Sequence, residues 1–161
     1  MDETPRTILT PPRMVDGGAL LIAGLQEHFR FENLAGLPAL WQRFRLHPGS
    51  VPGQIGNAAY GVCYNTVEAD GFDYIAGVEV ADAGALPRDF ASLRLAPQRY
   101  AVFTHAEHIS AVRGTFMAIF NDWLPQSGLH GADAAVFERY DERFDSRTGL
   151  GGFEIWVPVK P

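Results

Sequence analysis

The sequence predicts an α+β fold made of two similar units in tandem, each reading strand, amphipathic helix, strand, strand. Three observations carry this. The order of elements recurs in both halves, about residues 19–81 and about 98–160. The helical segment of the second half keeps one apolar face over roughly four turns, the 3.6-residue signature of a helix packed on a core. The extended segments alternate in residue character with period two, as strands do. Units of about 60 residues are marginal alone. Two of them bury their apolar faces together and leave a seam, where small-molecule sites are common.

Residues 1–13 hold Pro5, Pro11 and Pro12 and read as an extended lead-in to a single domain over 14–161, with strand character from Met14 or Ala19. Leu20–Phe31 is extended, and its run Leu20, Leu21, Ile22, Ala23 and Leu25 suits a strand buried on both faces. After a turn at Asn33–Leu34, the residues Leu37, Leu40, Trp41 and Phe44 recur at helical spacing. Pro38 fits a first helical position, giving a helix over Pro38–Leu46 that His47-Pro48-Gly49 ends, followed by a Ser50–Gly56 loop. In Ala58–Asn65, Tyr60, Val62 and Tyr64 alternate with Gly61, Cys63 and Asn65, and Ala69-Asp70-Gly71 turns the chain into Phe72–Val80.

Asp82–Leu95 is expected to be a link between the units. Arg99–His105 then opens the second, with Phe103 and His105 on one face and Tyr100 and Val102 on the other. The helix over Ile109–Leu124 carries Ile109, Val112, Phe116, Ile119, Phe120, Trp123 and Leu124 on its apolar side, and Pro125 and Gly128 stop it. Ala134–Phe144 and Gly151–Val159, joined through the Gly-rich Arg143–Gly152, form a hairpin.

Composition narrows the function. Of 161 residues 47% are hydrophobic, enough for a packed interior, and the net charge of -6 without a basic run argues against direct nucleic-acid binding. No span approaches the roughly 18 apolar residues that cross a membrane. Asp2 and Glu3 occupy the place where a secretory signal needs positive charge, and the single Cys63 excludes an internal disulfide, so a cytoplasmic location is expected. Cys63 itself reads as a small buried residue. His105 and His108 flank Glu107 without a supporting helix or third ligand, so no metal is expected. Ser110, His105 and Asp122 lack a nucleophile elbow, and no glycine loop for a phosphate cofactor is present.

Strand parity singles out the last hairpin. Glu138, Tyr140 and Glu142 share one face, with Phe137 on the other. Phe153, Ile155 and Val157 share a face suited to packing under the helices, which sends Glu154 and Trp156 the other way. Both strands are therefore expected to present a carboxylate and an aromatic ring on the face away from the helices. That pairing suits a flat cation, and in a dry groove it raises the carboxyl pKa into the range of acid or base work. The plainer alternative is a half-wet sheet face, with Tyr140 and Trp156 as ordinary packing and with Trp41, Trp123 and Phe103 as core.

Six segments in order, YGVCYN (60–65), FDYIAGVEV (72–80), RYAVFTHAEHI (99–109), NDWLPQSG (121–128), FERYDERF (137–144) and GGFEIWVPVK (151–160), resemble the GyrI-like family. Its members are effector-binding domains of AraC-type and MerR-type multidrug-responsive regulators and their stand-alone relatives. The resemblance covers about Met14 to Lys160. It implies tandem β-α-β-β repeats about a pseudo-two-fold axis, an antiparallel sheet carrying two main helices, and an inter-repeat groove for lipophilic, often cationic, molecules. In the strand motif F-E-x-Y the family's groove glutamate corresponds to Glu138. Where many relatives have glycine after the strand ending at His105, this chain has Glu107, so contacts of that turn are not carried over.

The expected function is that of a stand-alone small-molecule-binding protein without a cofactor, with Glu138 as charge partner and Tyr140, Glu154, Trp156, Phe103, Tyr74 and Trp123 as candidate ligand contacts. Two alternatives accompany it. One, implied by the resemblance, is a hydrolase that opens strained electrophiles such as cyclopropane-bearing alkylators, with Glu138 or Glu154 catalytic. The other is a protein-interaction module that inhibits a partner such as a topoisomerase. A role in transcription would act through a separate DNA-binding subunit.

Overall fold

A computed structural model describes residues 9–46, 51–67 and 71–161. Its strands are β1 (Arg13–Gly17), β2 (Leu20–Arg30), β3 (Gln54–Val67), β4 (Gly71–Val80), β5 (Ala91–Leu95), β6 (Gln98–His105), β7 (His130–Gly131), β8 (Val136–Tyr140) and β9 (Phe153–Lys160). Eight of them form one curled antiparallel sheet in the order β1-β6-β9-β8-β3-β4-β2-β5, and the short β7 pairs with β9 off this path. The order is the same from either end once the two repeats are exchanged. The pseudo-two-fold axis therefore passes between β8 and β3, whose pairing joins the halves from Ala59↔Tyr140 to Cys63↔Val136.

One strand lies where none is expected, and the strand character expected from Met14 or Ala19 resolves into two strands. Residues 82–95, expected as a link, contain β5, and Arg13–Gly17 forms a separate strand ahead of β2. They are exchanged between the repeats: β1 pairs with β6 of the second unit, and β5 pairs with β2 of the first. Each unit thus adds the outermost strand of the other, and the sheet ends in two short strands of five residues each, which blunts its edges.

The first helix, Leu37–Arg45, has Pro38 in its first turn as expected. Gly36 caps it without a side-chain hydrogen bond, and Leu40 is its only fully buried residue. Leu37, Trp41 and Phe44 add partly buried surface beside it, so the helix is held by one apolar face. The predicted stop at His47-Pro48-Gly49 and the turn residues Ala69 and Asp70 lie outside the described residues.

The second helix runs over 109–126 in four segments, a 3-10 turn (Ile109–Ala111), an α segment (Val112–Met117), a π segment (Ala118–Trp123) and a last α turn (Leu124–Gln126). Pro125 has no N–H, and its ring crowds the carbonyl four residues back, so a widened turn just before it fits the proline. The wider turn shifts the predicted apolar stripe: Ile119 is fully buried, but Phe120 is 37% exposed. The helix start is tied to β6 by His105, whose Nδ1 meets Thr115 Oγ1 at 2.8 Å and whose Nε2 meets the His108 carbonyl at 2.9 Å. No helix among the described residues is long and apolar enough to cross a membrane.

Both sheet faces are covered. On one, Ile22, Tyr60, Val62, Tyr100, Val102 and Phe137 form a single cluster drawn from strands across the whole sheet. On the other, the core is divided. One part, with Phe103, Ile119, Phe153 and Ile155, lies with the second helix, and another, with Leu25, Phe29, Leu40 and Phe72, lies with the first. Trp41 packs against both parts, at the seam between the repeats.

The register of the last hairpin corrects the expected common face. Phe137 pairs with Trp156, Glu138 with Ile155, and Arg139 with Glu154. Glu138 and Tyr140 therefore share the helix-covered face with Phe153 and Ile155. Glu154 and Trp156 lie on the opposite face with Phe137 and Arg139. β8 also ends at Tyr140, short of the expected Phe144, because Asp141 turns the chain by accepting from the Arg143 amide at 2.9 Å.

Candidate functional site

The seam is shaped by what β3 lacks. On the helix-covered side it presents Ala59, Gly61 and Cys63, registered against Tyr140, Glu138 and Val136 of β8. Gly61 leaves room above the strand for two polar side chains to meet: Tyr74 donates its hydroxyl to Glu138 Oε1 at 3.0 Å. Trp41 Nε1 donates in turn to the Tyr74 oxygen at 3.0 Å, and Tyr140 also hydrogen bonds the carboxyl. Rings complete the enclosure, with Trp41 edge-on to Tyr140 at 5.6 Å and to Tyr74 at 6.4 Å.

Glu138 is 9% exposed, and among the described residues no cation is paired with it. Burial pushes its pKa from 4.5 up to about 7, against the opposing pull of the two phenol hydrogen bonds. The same burial, with the carboxylate close by, raises the hydroxyls of Tyr74 and Tyr140, so both remain donors at neutral pH. The Cys63 thiol is pushed up by burial and by Glu138, so it stays a neutral thiol rather than a nucleophile. The arrangement is a carboxyl poised near neutrality within a shell of π faces.

Trp41 backs both phenols that bond the carboxyl. Trp41→Ala is expected to let water reach Glu138 and lower its pKa from about 7 toward the ordinary 4.5, as followed by carbon-13 NMR titration of the Glu138 carboxyl. An unmoved titration would place the desolvation in the sheet instead.

The other singled-out residues fall in two places. Phe103 is 1% exposed in the core beneath the second helix, with Trp123 edge-on to it at 5.0 Å. Glu154, on the far face, is engaged by Arg13 Nη2 at 2.7 Å and accepts from Trp156 Nε1 at 3.2 Å. A carboxylate already satisfied in this way is a structural ion pair. Trp41, which the sequence assigns to the core, bridges both halves and reaches Tyr74. Its helical spacing with Leu37 and Phe44 hid this, because core packing and groove lining leave the same periodic signal.

Among the described residues no three His, Cys, Asp or Glu side chains are grouped to hold a metal ion. Both nitrogens of His105 are occupied by Thr115 and the His108 carbonyl.

The family model described as GyrI-like small molecule binding domain matches residues 10–160. The transcriptional regulator BrlR of Pseudomonas aeruginosa is 30% identical over 149 residues, which cover 91% of this chain and 54% of that protein. The chain thus spans about half the length of this curated relative. Solved structures share the fold at lower identity. SAV2435 bound to tetraphenylphosphonium matches with a TM-score of 0.74 at 18% identity over 94% of both chains. An integron cassette protein from the mobile metagenome of Vibrio cholerae matches at 0.71 and 17%, covering 94% of this chain and 97% of that one. The EcmrR C-terminal domain matches at 0.65 and 13%, covering 92% and 96%.

Proposed function

Because the chain belongs to the GyrI-like small-molecule-binding family, we propose that it takes lipophilic aromatic cations into the inter-repeat seam, with Glu138 as the charge partner. One observation carries the reading: a buried carboxyl with no cation paired to it among the described residues is enclosed by Trp41, Tyr74 and Tyr140. An ionised carboxylate costs free energy in such a place unless an opposite charge joins it, and π faces favour a cation for the same electrostatic reason. Glu138 is buried under these rings, so a ligand reaches it through movement of Trp41 and the first helix. Tyr140 and Tyr74 then serve as walls. Phe103 and Trp123 back the second helix, and Glu154 and Trp156 lie across the sheet from this seam.

The tetraphenylphosphonium bound by SAV2435 is the natural probe. Calorimetric titration with this cation and with neutral triphenylphosphine oxide, on wild type and Glu138→Gln, tests the reading. The expected result is a loss of about 1–3 kcal/mol for the cation in the variant, with the neutral compound nearly unchanged. Equal losses for both would remove Glu138 from the role of charge partner. Hydrolysis of strained electrophiles has less support, since a water-activating carboxylate needs access to water and Glu138 is held dry by two phenols.

A further inference from the structure

The sheet face away from the helices contains a half-open cavity of about 110 Å³ among Tyr60, Tyr100, Phe137 and Trp156, with Gly18 and Arg139 also lining it. We propose that it is a second binding site, separate from the Glu138 seam, for a small aromatic carboxylate of one ring. Size is the first argument. An apolar protein cavity of about 150 Å³ holds a benzene ring, so this smaller, half-open one accommodates a single ring whose substituent stays outside. Its walls are suited to an arene: Phe137 and Trp156 stack at 5.2 Å, and Tyr100 stands edge-on to them at 5.3 and 5.4 Å.

Charge selects the substituent. Arg139 donates from Nε to the Tyr60 hydroxyl at 3.3 Å, but its Nη1 is 3.7 Å from Glu154 and 3.9 Å from Asp141, beyond hydrogen-bond distance. Each of those carboxylates has a nearer partner, Glu154 in Arg13 at 2.7 Å and Asp141 in Arg143 at 2.8 Å. Glu142 also acts on Arg143, so three guanidinium groups face three carboxylates, and the preference for an anion rests on the donors of Arg139 that lie beyond hydrogen-bond distance of Glu154 and Asp141. A planar guanidinium with unshared donors binds a carboxylate through two parallel hydrogen bonds, which an ammonium or an alcohol cannot provide. Successive residues of β8 therefore face opposite sides of the sheet with opposite preferences, Glu138 for cations and Arg139 for anions.

Benzoate, with benzylamine and benzyl alcohol as its cationic and neutral counterparts, tests the proposal by NMR titration of the tryptophan indole signals. Saturable shifts of the Trp156 indole with benzoate are expected, with the Trp41 indole unmoved and benzylamine without effect at the same concentrations. Arg139→Gln is expected to weaken benzoate by at least about tenfold. Arg139→Lys, which keeps the charge but loses the planar fork, is expected to weaken benzoate as well. That variant preserves the positive charge beside Glu154 and Asp141, so the test stands even if Arg139→Gln folds poorly. No saturable Trp156 shift, equal binding of benzylamine, or wild-type affinity in Arg139→Lys would each overturn the proposal.

Discussion

Glu138→Gln is expected to make the protein about 3 kcal/mol more stable at pH 8.5 relative to wild type than it is at pH 4.5. In the folded wild type the carboxyl pKa rises from 4.5 to about 7, while the unfolded chain keeps the lower value. Between those values the folded state holds a proton that the unfolded state has lost, so wild-type stability falls as pH rises through this window and levels off above about 7. About 1.4 kcal/mol per unit over roughly 2.5 units gives the size of the effect. Glutamine carries no titrating proton, and its amide can still pair with the two tyrosine hydroxyls. Asp73 and Asp141 are held below the usual carboxylate range by hydrogen bonds and ion pairs, so their contributions fade at more acid pH and in the opposite direction. Urea unfolding of both proteins at intervals from pH 4.5 to 8.5 reads the difference, in which other groups cancel. Parallel curves would mean that Glu138 titrates normally. The same linkage governs ligand binding: a cation that needs the ionised carboxylate must expel a proton below pH 7, so its affinity should rise with pH in wild type and stay flat in the variant.

This behaviour was partly legible in the residues. The two repeats, the two helices and the pairing of Glu138 with Tyr140 on one face follow from local periodicity, and the structure has them. Which face that is does not follow. Parity within β8 separates Glu138 from Phe137, and parity within β9 separates Glu154 from Ile155, but only the pairing register relates one strand to the other. A shift of one residue would reverse the answer. The usual arbiter, an apolar side facing the core and a polar side facing water, fails in a sheet buried on both sides, where Phe137 and Phe153 are each 1% exposed on opposite faces. β5 carried a readable pattern, with Ala91, Leu93 and Leu95 alternating with Ser92 and Arg94, but five residues are a short signal. Its pairing with β2 of the other repeat is a long-range contact with no local trace.

Gly61→Ala is expected to destabilise the protein by about 3 kcal/mol and to open the seam, although an alanine in a strand would ordinarily help by restricting the unfolded chain. Gly61 does not have a positive φ, so its backbone accepts alanine and the outcome rests on space alone. An added Cβ would overlap the Tyr74 hydroxyl and would lie 2.8 Å from Glu138 Oε1. Neither neighbour is free to retreat. Tyr74 is 3% exposed and is tied to Trp41, and Glu138 is pinned between two phenols. Overpacking of this kind costs about 1–3 kcal/mol, and a buried carboxyl that loses a donor adds a comparable amount. The decisive measurement is a double-mutant cycle by urea unfolding with Tyr74→Phe, which removes the overlapping hydroxyl. Strongly less than additive losses are expected, because both changes break the same hydrogen bond. Fully additive losses would show that Gly61 serves the strand rather than the carboxyl. The glycine matters beyond its own size because it stands directly beneath the donor that holds Glu138: the missing side chain is what allows an acid and a phenol to meet in the middle of a sheet.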